Sequence, residues 1–173
     1  MNKKTKHIVT TSLFAAFVCV STMVIRIPTP STGGYIHPGD ALVIMSGIML
    51  GPYYGFLAAS IGSAMADLIG GYFIYIPITF VIKGLIAYLA GTCFKKMDKT
   101  KRSRYTAVII GGIIDILLVS MGYLLCESFL YGFAGALTSV PANVIQGISG
   151  MILSMVLYPI LFSIKEIRQS RIK

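Results

Sequence analysis

The stretch from Gly34 to Gly91 decides the fold: GYIHPGDALVIMSGIMLGPYYGFLAASIGSAMADLIGGYFIYIPITFVIKGLIAYLAG. It is apolar enough to lie in a lipid bilayer, yet it carries Asp40, Asp67 and Lys83. A charged side chain at the bilayer centre costs about 2.5–3.5 kcal/mol on insertion scales, so these residues are functional candidates. The Gly51-Pro52 pair and the aromatic loop GGYFIYIP divide the stretch into three helices.

The composition of the whole chain is typical of an integral membrane protein. Of its 173 residues, 55% are hydrophobic and 12% are charged, and the mean hydropathy is +0.81. We therefore expect residues 1–173 to form a single membrane domain. The three cysteines have no metal-ligand spacing, so we interpret them as small packing residues and expect no metal site. The sequence also has no ATP-binding P-loop, no catalytic motif and no cofactor motif.

Basic residues set the orientation of the chain in the membrane. Thirteen of the 15 Lys and Arg residues fall into three clusters, at residues 3–6, 95–104 and 165–173. Such clusters flank the cytoplasmic ends of membrane spans, which explains the net charge of +9 without nucleic-acid binding. An even number of spans must therefore separate each cluster from the next.

Six membrane-spanning helices satisfy this requirement and place both termini in the cytoplasm. The first resembles a signal peptide but lacks a cleavage site, so we expect it to remain in the protein. The second is short, and without it the N-terminal cluster would lie opposite the other two. The predicted all-α bundle has helices at about residues 7–25, 40–50, 54–70, 78–94, 105–126 and 140–164.

The acid and the lysine of the middle helices are predicted to lie inside the bundle. Asp67 follows a row of small residues, Gly55, Ala59 and Ser63, whose spacing favours close helix packing in lipid. Lys83 lies on the next helix, so an antiparallel hairpin would place both residues at similar depth. One interpretation is a structural ion pair, and the other places one or both at the floor of a ligand site.

Other polar residues are predicted to reach the same outer level. Asp40 is a candidate for a helix cap or a ligand contact, and His37 for a ligand group or a hydrogen-bonded loop residue. Asn143 and Gln146 form a polar stripe that joins helices or binds a solute. The outer tyrosines are either a lipid anchor belt or part of the site. The candidate substrate-binding residues are Tyr35, His37, Asp40, Asp67, Tyr72, Tyr75, Lys83, Asn143 and Gln146.

The middle third of the chain resembles the S component, the substrate-binding membrane subunit, of energy-coupling factor (ECF) vitamin transporters. The motifs of that family occur in order: Gly39-Asp40, the turn Leu50-Gly51-Pro52-x-x-Gly55, Ala66-Asp67-Leu68, and Pro77-x-Thr79-x-x-x-Lys83-Gly84. The resemblance implies a multi-pass protein of a prokaryotic plasma membrane that captures a water-soluble vitamin or precursor. It also implies two kinds of partner, a transmembrane coupling subunit and two cytoplasmic ATPases.

The resemblance further implies a docking face for the coupling subunit and a gate over the ligand. A ladder of residues spaced four apart, Thr11, Ala15 and Cys19, would provide the docking face, with Ser12 and Ala16 beside it. The outer loop before Asp40 would be the gate. A pyridoxine- or hydroxymethylpyrimidine-like solute is favoured because acids outnumber free bases, and pantothenate follows if Lys83 accepts its carboxylate.

Three other functions remain open at this stage. A solitary vitamin transporter would work without the ATPases. An intramembrane enzyme would use Asp67, Lys83 and Asp115 as acid–base groups. A scaffold subunit would hold no small molecule at all.

Overall fold

The computed structural model describes residues 2–29, 32–165 and 167, and it is almost entirely helical. Three basic residues of the predicted C-terminal cluster, Arg168, Arg171 and Lys173, lie outside the described residues, as does Ser31 of the outer loop. The helices are α1 (Lys3–Val24), α2 (Asp40–Leu50), α3 (Pro52–Gly70), α4 (Ile76–Met97), α5 (Lys101–Tyr131), α6 (Phe133–Leu137) and α7 (Val140–Ser163). The short strands β1 (Ile27–Pro28) and β2 (Tyr35–Ile36) and a 3-10 turn (Phe73–Tyr75) complete the described part.

The six predicted spans correspond to α1 to α5 and α7, which confirms the all-α bundle. Within the described residues, four segments are long and apolar enough to cross a membrane by length and composition, and they contain α1, α4, α5 and α7. The fifth helix is longer than predicted, because α5 begins at Lys101 and ends at Tyr131. Helix α3 has 19 residues but is not among these four, and α2 is apolar but has only 11 residues.

The short helix α2 forms the centre of the bundle. Ten of its 11 residues are buried, and its neighbours are α1, α3, α4, α5 and α7. A helix of this length extends about 16 Å, roughly half of a 30 Å hydrocarbon core. Its sequence is apolar on every side because protein surrounds it on every side.

Glycines allow α2 to approach its neighbours at the cytoplasmic half of the bundle. A Cβ atom added at Gly47 would lie 2.0 Å from the carbonyl oxygen of Ala87 on α4. A Cβ atom at Gly55 of α3 would lie 2.5 Å from the Cα of Gly47, and one at Gly91 would lie 2.5 Å from the Gly47 oxygen. Three backbones therefore meet at Gly47, and no larger residue fits there without moving a helix.

The predicted docking ladder lies on the side of α1 that packs against α3. Thr11, Ala15 and Cys19 are half-buried. A Cβ atom added at Gly62 of α3 would lie only 2.4 Å from the carbonyl oxygen of Ala15, so the two helices are in close contact there. The neighbouring residues Ser12 and Ala16 are exposed on the surface of α1. The docking role of the ladder stays a prediction, and Ser12 and Ala16 are the more accessible row.

The loop between α1 and α2 folds back over the outer end of the bundle. Strands β1 and β2 pair in antiparallel fashion, with Ile27 opposite Ile36 and Pro28 opposite Tyr35. The backbone N–H of Thr29 donates to the Gly34 carbonyl at 2.9 Å within the same hairpin. This hairpin covers the outer ends of α3, α4, α5 and α7, where the polar residues gather.

Candidate functional site

A polar cavity lies beneath the hairpin at the outer end of the bundle. It has a volume of about 20 Å³, which is room for roughly one water molecule. Loop, α3, α4, α5 and α7 residues line it: Thr29, Gly34, Tyr35, His37, Asp67, Tyr75, Thr79, Tyr123, Glu127, Asn143 and Gln146. The described part of the chain thus brings donors and acceptors from the outer loop, the 3-10 turn and four helices to one small space.

Asp67 forms one wall of the cavity and holds the hairpin down. The Tyr35 hydroxyl donates to Asp67 Oδ1 at 2.7 Å. The second carboxyl oxygen, Oδ2, is buried and has no hydrogen-bond partner within 3.5 Å among the described residues, although the Thr79 hydroxyl stands near the carboxyl group. A buried acceptor of this kind costs free energy unless a donor reaches it, so Oδ2 is an acceptor that a hydrogen-bond donor entering the cavity would satisfy.

Glu127 forms the opposite wall and connects three elements. The Tyr75 hydroxyl lies 2.8 Å from the Thr32 carbonyl oxygen and 3.0 Å from Glu127 Oε1. The Ser139 hydroxyl donates to the other carboxyl oxygen of Glu127. The hydroxyls of Thr79 and Tyr123 are 3.0 Å apart across the same cavity. Nearly every polar group on this wall therefore already has a partner.

Lys83 does not form the ion pair with Asp67 that is one of the two interpretations left open by the sequence. Lys83 Nζ lies 2.5 Å from Asp40 Oδ1, and both side chains are fully buried. The depths differ, because Asp67 is about 5 Å from the outer end of α3 and Lys83 is about 10 Å from the outer end of α4. The central helix α2 begins with an acid at the level of Lys83, so Asp40 is the partner within reach.

Asp40 also connects the floor of the site to the outer loop. Gln146 Nε2 donates to Asp40 Oδ2 at 2.7 Å, and the backbone N–H of His37 donates to Gln146 Oε1 at 3.0 Å. The Asp40 side chain therefore faces inward and does not cap α2, whose N-cap is Gly39. Gln146 joins α7 to α2 through Asp40 and also lines the cavity, and its contact with a solute stays a prediction.

Aromatic rings and Arg26 close the outer side of the hairpin. The rings of Tyr35 and Tyr72 are 4.4 Å apart between centroids, and the Arg26 guanidinium lies 5.1 Å from the Tyr35 ring. Arg26 also donates to the Ala66 carbonyl at 3.3 Å. Cation–π contacts of this type contribute about 0.5–2 kcal/mol each. Tyr72 thus supports the hairpin from outside and does not line the cavity.

Burial changes the titration of the two ring residues of this loop. Desolvation lowers the pKa of His37 to about 4, so its imidazole is neutral at physiological pH. Its Nδ1 accepts a hydrogen bond from the Gly39 N–H at 3.1 Å, which fits that neutral form. Desolvation, with the Asp67 carboxylate beside it, raises the pKa of Tyr35, whose hydroxyl therefore remains a donor.

Six of the nine predicted substrate-binding residues line the cavity: Tyr35, His37, Asp67, Tyr75, Asn143 and Gln146. Asp40 and Lys83 lie beneath it, and Tyr72 lies outside it. The sequence analysis missed Thr29, Gly34, Thr79, Tyr123 and Glu127 as lining residues. Asp115, Tyr123 and Glu127 are spaced by multiples of four residues, so they lie along one face of α5. This polar row in an otherwise apolar helix is the sequence feature from which the α5 wall could have been predicted.

The lining residues make the cavity rich in acceptors and poor in positive charge. It contains two carboxyl groups, three tyrosine hydroxyls and two amides, but no Lys or Arg among the described lining residues. The described residues contain no group of three or more His, Cys, Asp or Glu that could hold a metal ion. A small ligand with several donor groups complements this surface.

The fold and the cavity define a class, that of membrane-embedded substrate-binding subunits. The family profile described as "ECF-type riboflavin transporter, S component" matches residues 2–163. The chain therefore belongs to the family of ECF transporter S components, which are integral membrane proteins that bind vitamins.

Two relatives and two solved structures are similar to this chain. A Pyrococcus woesei protein, "Uncharacterized protein in gap 3'region", is 32% identical over 79% of this chain and 88% of its own length. The thiamine precursor transporter HmpT of Lactococcus lactis subsp. cremoris (strain MG1363) is 23% identical over 92% and 90%.

The two solved structures share the fold of this chain. The S component of a bacterial ECF transporter superposes with a TM-score of 0.63 at 22% identity, covering 91% of this chain and 96% of that one. An S component for biotin from an ECF-type ABC transporter gives 0.62 at 20% identity, covering 91% and 93%. At these identities the likeness establishes the six-helix S-component fold and says nothing of the ligand.

Proposed function

We propose that this chain captures a small heteroaromatic vitamin or vitamin precursor from outside the cell for an ECF importer. A hydroxymethylpyrimidine- or pyridoxine-like compound is the favoured ligand. Capture would precede association with a transmembrane coupling subunit and two cytoplasmic ATPase subunits, which supply the energy for import. The unpaired, buried Oδ2 of Asp67 in the cavity wall is the observation on which this proposal depends.

The chemistry of the cavity supports a ligand that donates hydrogen bonds. Asp67 Oδ2 has an open acceptor site, and Glu127 stands across the same cavity. An exocyclic amine or a protonated ring nitrogen would satisfy Asp67 with a charge-assisted hydrogen bond. Tyr35, Tyr75 and Tyr123 supply aromatic faces for a flat ring. The similarity to a thiamine precursor transporter agrees with this choice.

Pantothenate becomes a weaker candidate than the sequence suggested. Its carboxylate was expected to use Lys83, but Lys83 lies below the cavity and is already paired with Asp40 at 2.5 Å. In the cavity itself the ligand carboxylate would face Asp67 and Glu127, which carry the same sign of charge. Like charges at such distances in a partly desolvated site repel, so an anionic ligand is disfavoured.

The hairpin must move before a vitamin can enter. A volume of about 20 Å³ is far below the roughly 300–1,000 Å³ of ordinary small-molecule pockets. The contacts that hold the hairpin in place include Tyr35–Asp67, His37–Gln146 and Thr32–Tyr75. A ligand that takes over the Tyr35 and Gln146 contacts would replace them, which agrees with a gate over the site.

Equilibrium binding to the purified protein tests the proposal. Isothermal titration should show tight binding of hydroxymethylpyrimidine or pyridoxine and little binding of pantothenate. Asp67→Asn should weaken binding at least tenfold, because an amide replaces the charged acceptor. Asp98→Asn, in the cytoplasmic loop after α4, serves as the matched control and should bind as wild type does. Pantothenate binding more tightly than hydroxymethylpyrimidine or pyridoxine would contradict the charge argument.

Riboflavin is the second candidate, and the description of the matching family favours it. Its large ring needs a wider opening than a single pyrimidine does, so its binding should require a larger displacement of the hairpin. The flavin absorbs and emits visible light, which protein side chains do not, so a change in its fluorescence would report binding. Submicromolar riboflavin binding without measurable pyrimidine binding would replace the favoured ligand.

The other functions are separated by independent measurements. Uptake by cells that lack the coupling subunit and ATPases would indicate a solitary transporter. Chemical turnover of a bound ligand would indicate an enzyme. The three proposed acid–base residues point away from an enzyme, because Asp67 lines the cavity while Lys83 and Asp115 do not.

A further inference from the structure

A third buried acid lies beneath the cavity, and the proposed capture of a vitamin does not use it. Asp115 of α5 is fully buried, and neither of its carboxyl oxygens has a hydrogen-bond partner among the described residues. It lies beside Gly150 of α7, where an added Cβ atom would be 3.0 Å from Asp115 Oδ2 and 2.8 Å from Asp40 Cβ. The two acids Asp40 and Asp115 are therefore neighbours.

The charges around Asp115 do not balance if both acids are ionised. Asp40 faces it from α2 and Lys83 faces it from α4, whereas α7 contributes Gly150 at this level. On α5 itself, Tyr123 lies two turns further along, with its ring 5.7 Å from Lys83 Nζ. The single ammonium already forms a 2.5 Å pair with Asp40. A second carboxylate would then lie in the bilayer interior without a cation or a donor.

We propose that Asp115 is a proton-binding site, neutral in this conformation, and the alternative partner of Lys83. A proton fits because it requires no space, and Asp115 borders no part of the cavity described above. A neutral acid leaves Lys83 entirely to Asp40. Loss of the proton to water would create a second carboxylate that competes with Asp40 for the same ammonium.

This competition reaches the outer loop through Asp40. Asp40 Oδ2 accepts a hydrogen bond from Gln146, which in turn accepts one from the His37 N–H at 3.0 Å. If Lys83 moves towards Asp115, Asp40 and its bonded Gln146 shift with the altered charge, and the inner anchor of the hairpin weakens. The proton on Asp115 therefore favours the closed hairpin. This inference needs no vitamin, so it stands or falls separately from the proposed function.

Solid-state NMR of the wild-type protein in lipid bilayers tests the proton directly. The chain has four aspartates, Asp40, Asp67, Asp98 and Asp115, so ¹³C-labelled aspartate gives few carboxyl signals. At neutral pH one signal should have the chemical shift of a protonated acid, and it should disappear in Asp115→Asn. It should remain in Asp98→Asn. A spectrum in which the Asp115 carboxyl is ionised at neutral pH would overturn the proposal. Because the Asp115 signal can also be assigned in the wild-type protein, the test does not depend on the folding of the variant.

Hydrogen exchange of the hairpin tests the connection to the gate. Wild type and Asp115→Asn should exchange the His37 amide equally at the pH where Asp115 is protonated. At a pH where its NMR signal reports ionisation, wild type should exchange severalfold faster than Asp115→Asn, which removes the titrating group. Equal exchange at both pH values would overturn the connection. The connection would also be overturned if the Asp115 carboxyl stayed protonated up to the highest pH at which the protein remains folded.

Discussion

Towards the cytoplasm, α2, α3 and α4 meet on glycines, whereas towards the outside the same helices separate around polar side chains. At Gly47 the backbones approach so closely that an added Cβ atom would lie 2.0 Å from the Ala87 oxygen. At the outer end, hydrogen bonds between Tyr35, Asp67, Tyr75 and Glu127 surround a small cavity. Packing fixes the inner half, and exchangeable polar contacts hold the outer half. This difference suits the proposed capture of a ligand through the outer half.

The buried ion pair lies at the boundary between the halves and should give the largest effect. Lys83→Met leaves Asp40 without its cation in a dry interior, so we expect a loss of about 3–5 kcal/mol in the free energy of unfolding. Unfolding in detergent measures this loss. The double variant Lys83→Met/Asp40→Asn should recover most of it, since no unpaired charge remains.

A second ion pair provides the control for that experiment. Arg104 and Asp98 are 2.5 Å apart but partly exposed in the cytoplasmic loop. Arg104→Met should cost only about 0–1 kcal/mol, because water screens both charges. If Lys83→Met costs no more than Arg104→Met, the buried pair does not stabilise the fold more than the exposed one.

The glycine crossing should give the next largest effect. Gly47→Ala places a methyl group against the Ala87 carbonyl and should cost about 1–3 kcal/mol through overpacking. Gly135→Ala in α6 is the matched control, since its Cβ atom would meet Tyr131 at an ordinary 3.7 Å. Thermal unfolding of both variants makes the comparison. Equal stabilities would mean that α2 and α4 separate easily, and the contrast between the halves would fail.

The outer half contains a group, His37, that should make the free energy of unfolding depend on acid pH. His37 has a pKa lowered to about 4 by burial, against about 6.5 for an unfolded chain. Its contribution to stability is therefore complete above about pH 6.5 and decreases as the pH falls towards 4, by up to about 1.4 kcal/mol per unit. Unfolding measured from about pH 7.5 to 5 should show this loss in wild type and not in His37→Gln. Parallel curves for the two proteins would contradict the burial of a neutral imidazole.

Removal of one hydroxyl from the hairpin should give the smallest effect. Tyr35→Phe deletes the 2.7 Å bond to Asp67 and keeps the ring that packs on Tyr72. We expect about 0.5–1.5 kcal/mol less stability in the closed hairpin and faster amide exchange there. Tyr53→Phe, on an exposed tyrosine of α3, should leave the exchange of the hairpin unchanged. A hairpin that exchanges at the wild-type rate in Tyr35→Phe would mean that this bond does not hold the gate.

The sequence predicted the elements well because hydropathy, glycine–proline breaks and basic clusters act locally. Charge parity required the short second helix, and the structure contains it as α2. The sequence analysis considered only Asp67 as a partner for Lys83, because it assumed that the hairpin of two consecutive helices places both residues at the same depth. Only the three-dimensional position of α2 brings Asp40 to that depth, and only packing brings Glu127 of α5 to the cavity.

Mass spectrometry of the small molecules released from gently purified protein tests the central claim most directly. Wild type should release a heteroaromatic, donor-rich vitamin or precursor in a near-stoichiometric amount. Asp67→Asn should release much less of the same compound, while Asp98→Asn should match wild type. An anionic compound would contradict the charge argument, and equal amounts of one compound from all three proteins would contradict the assignment of the outer cavity as the capture site.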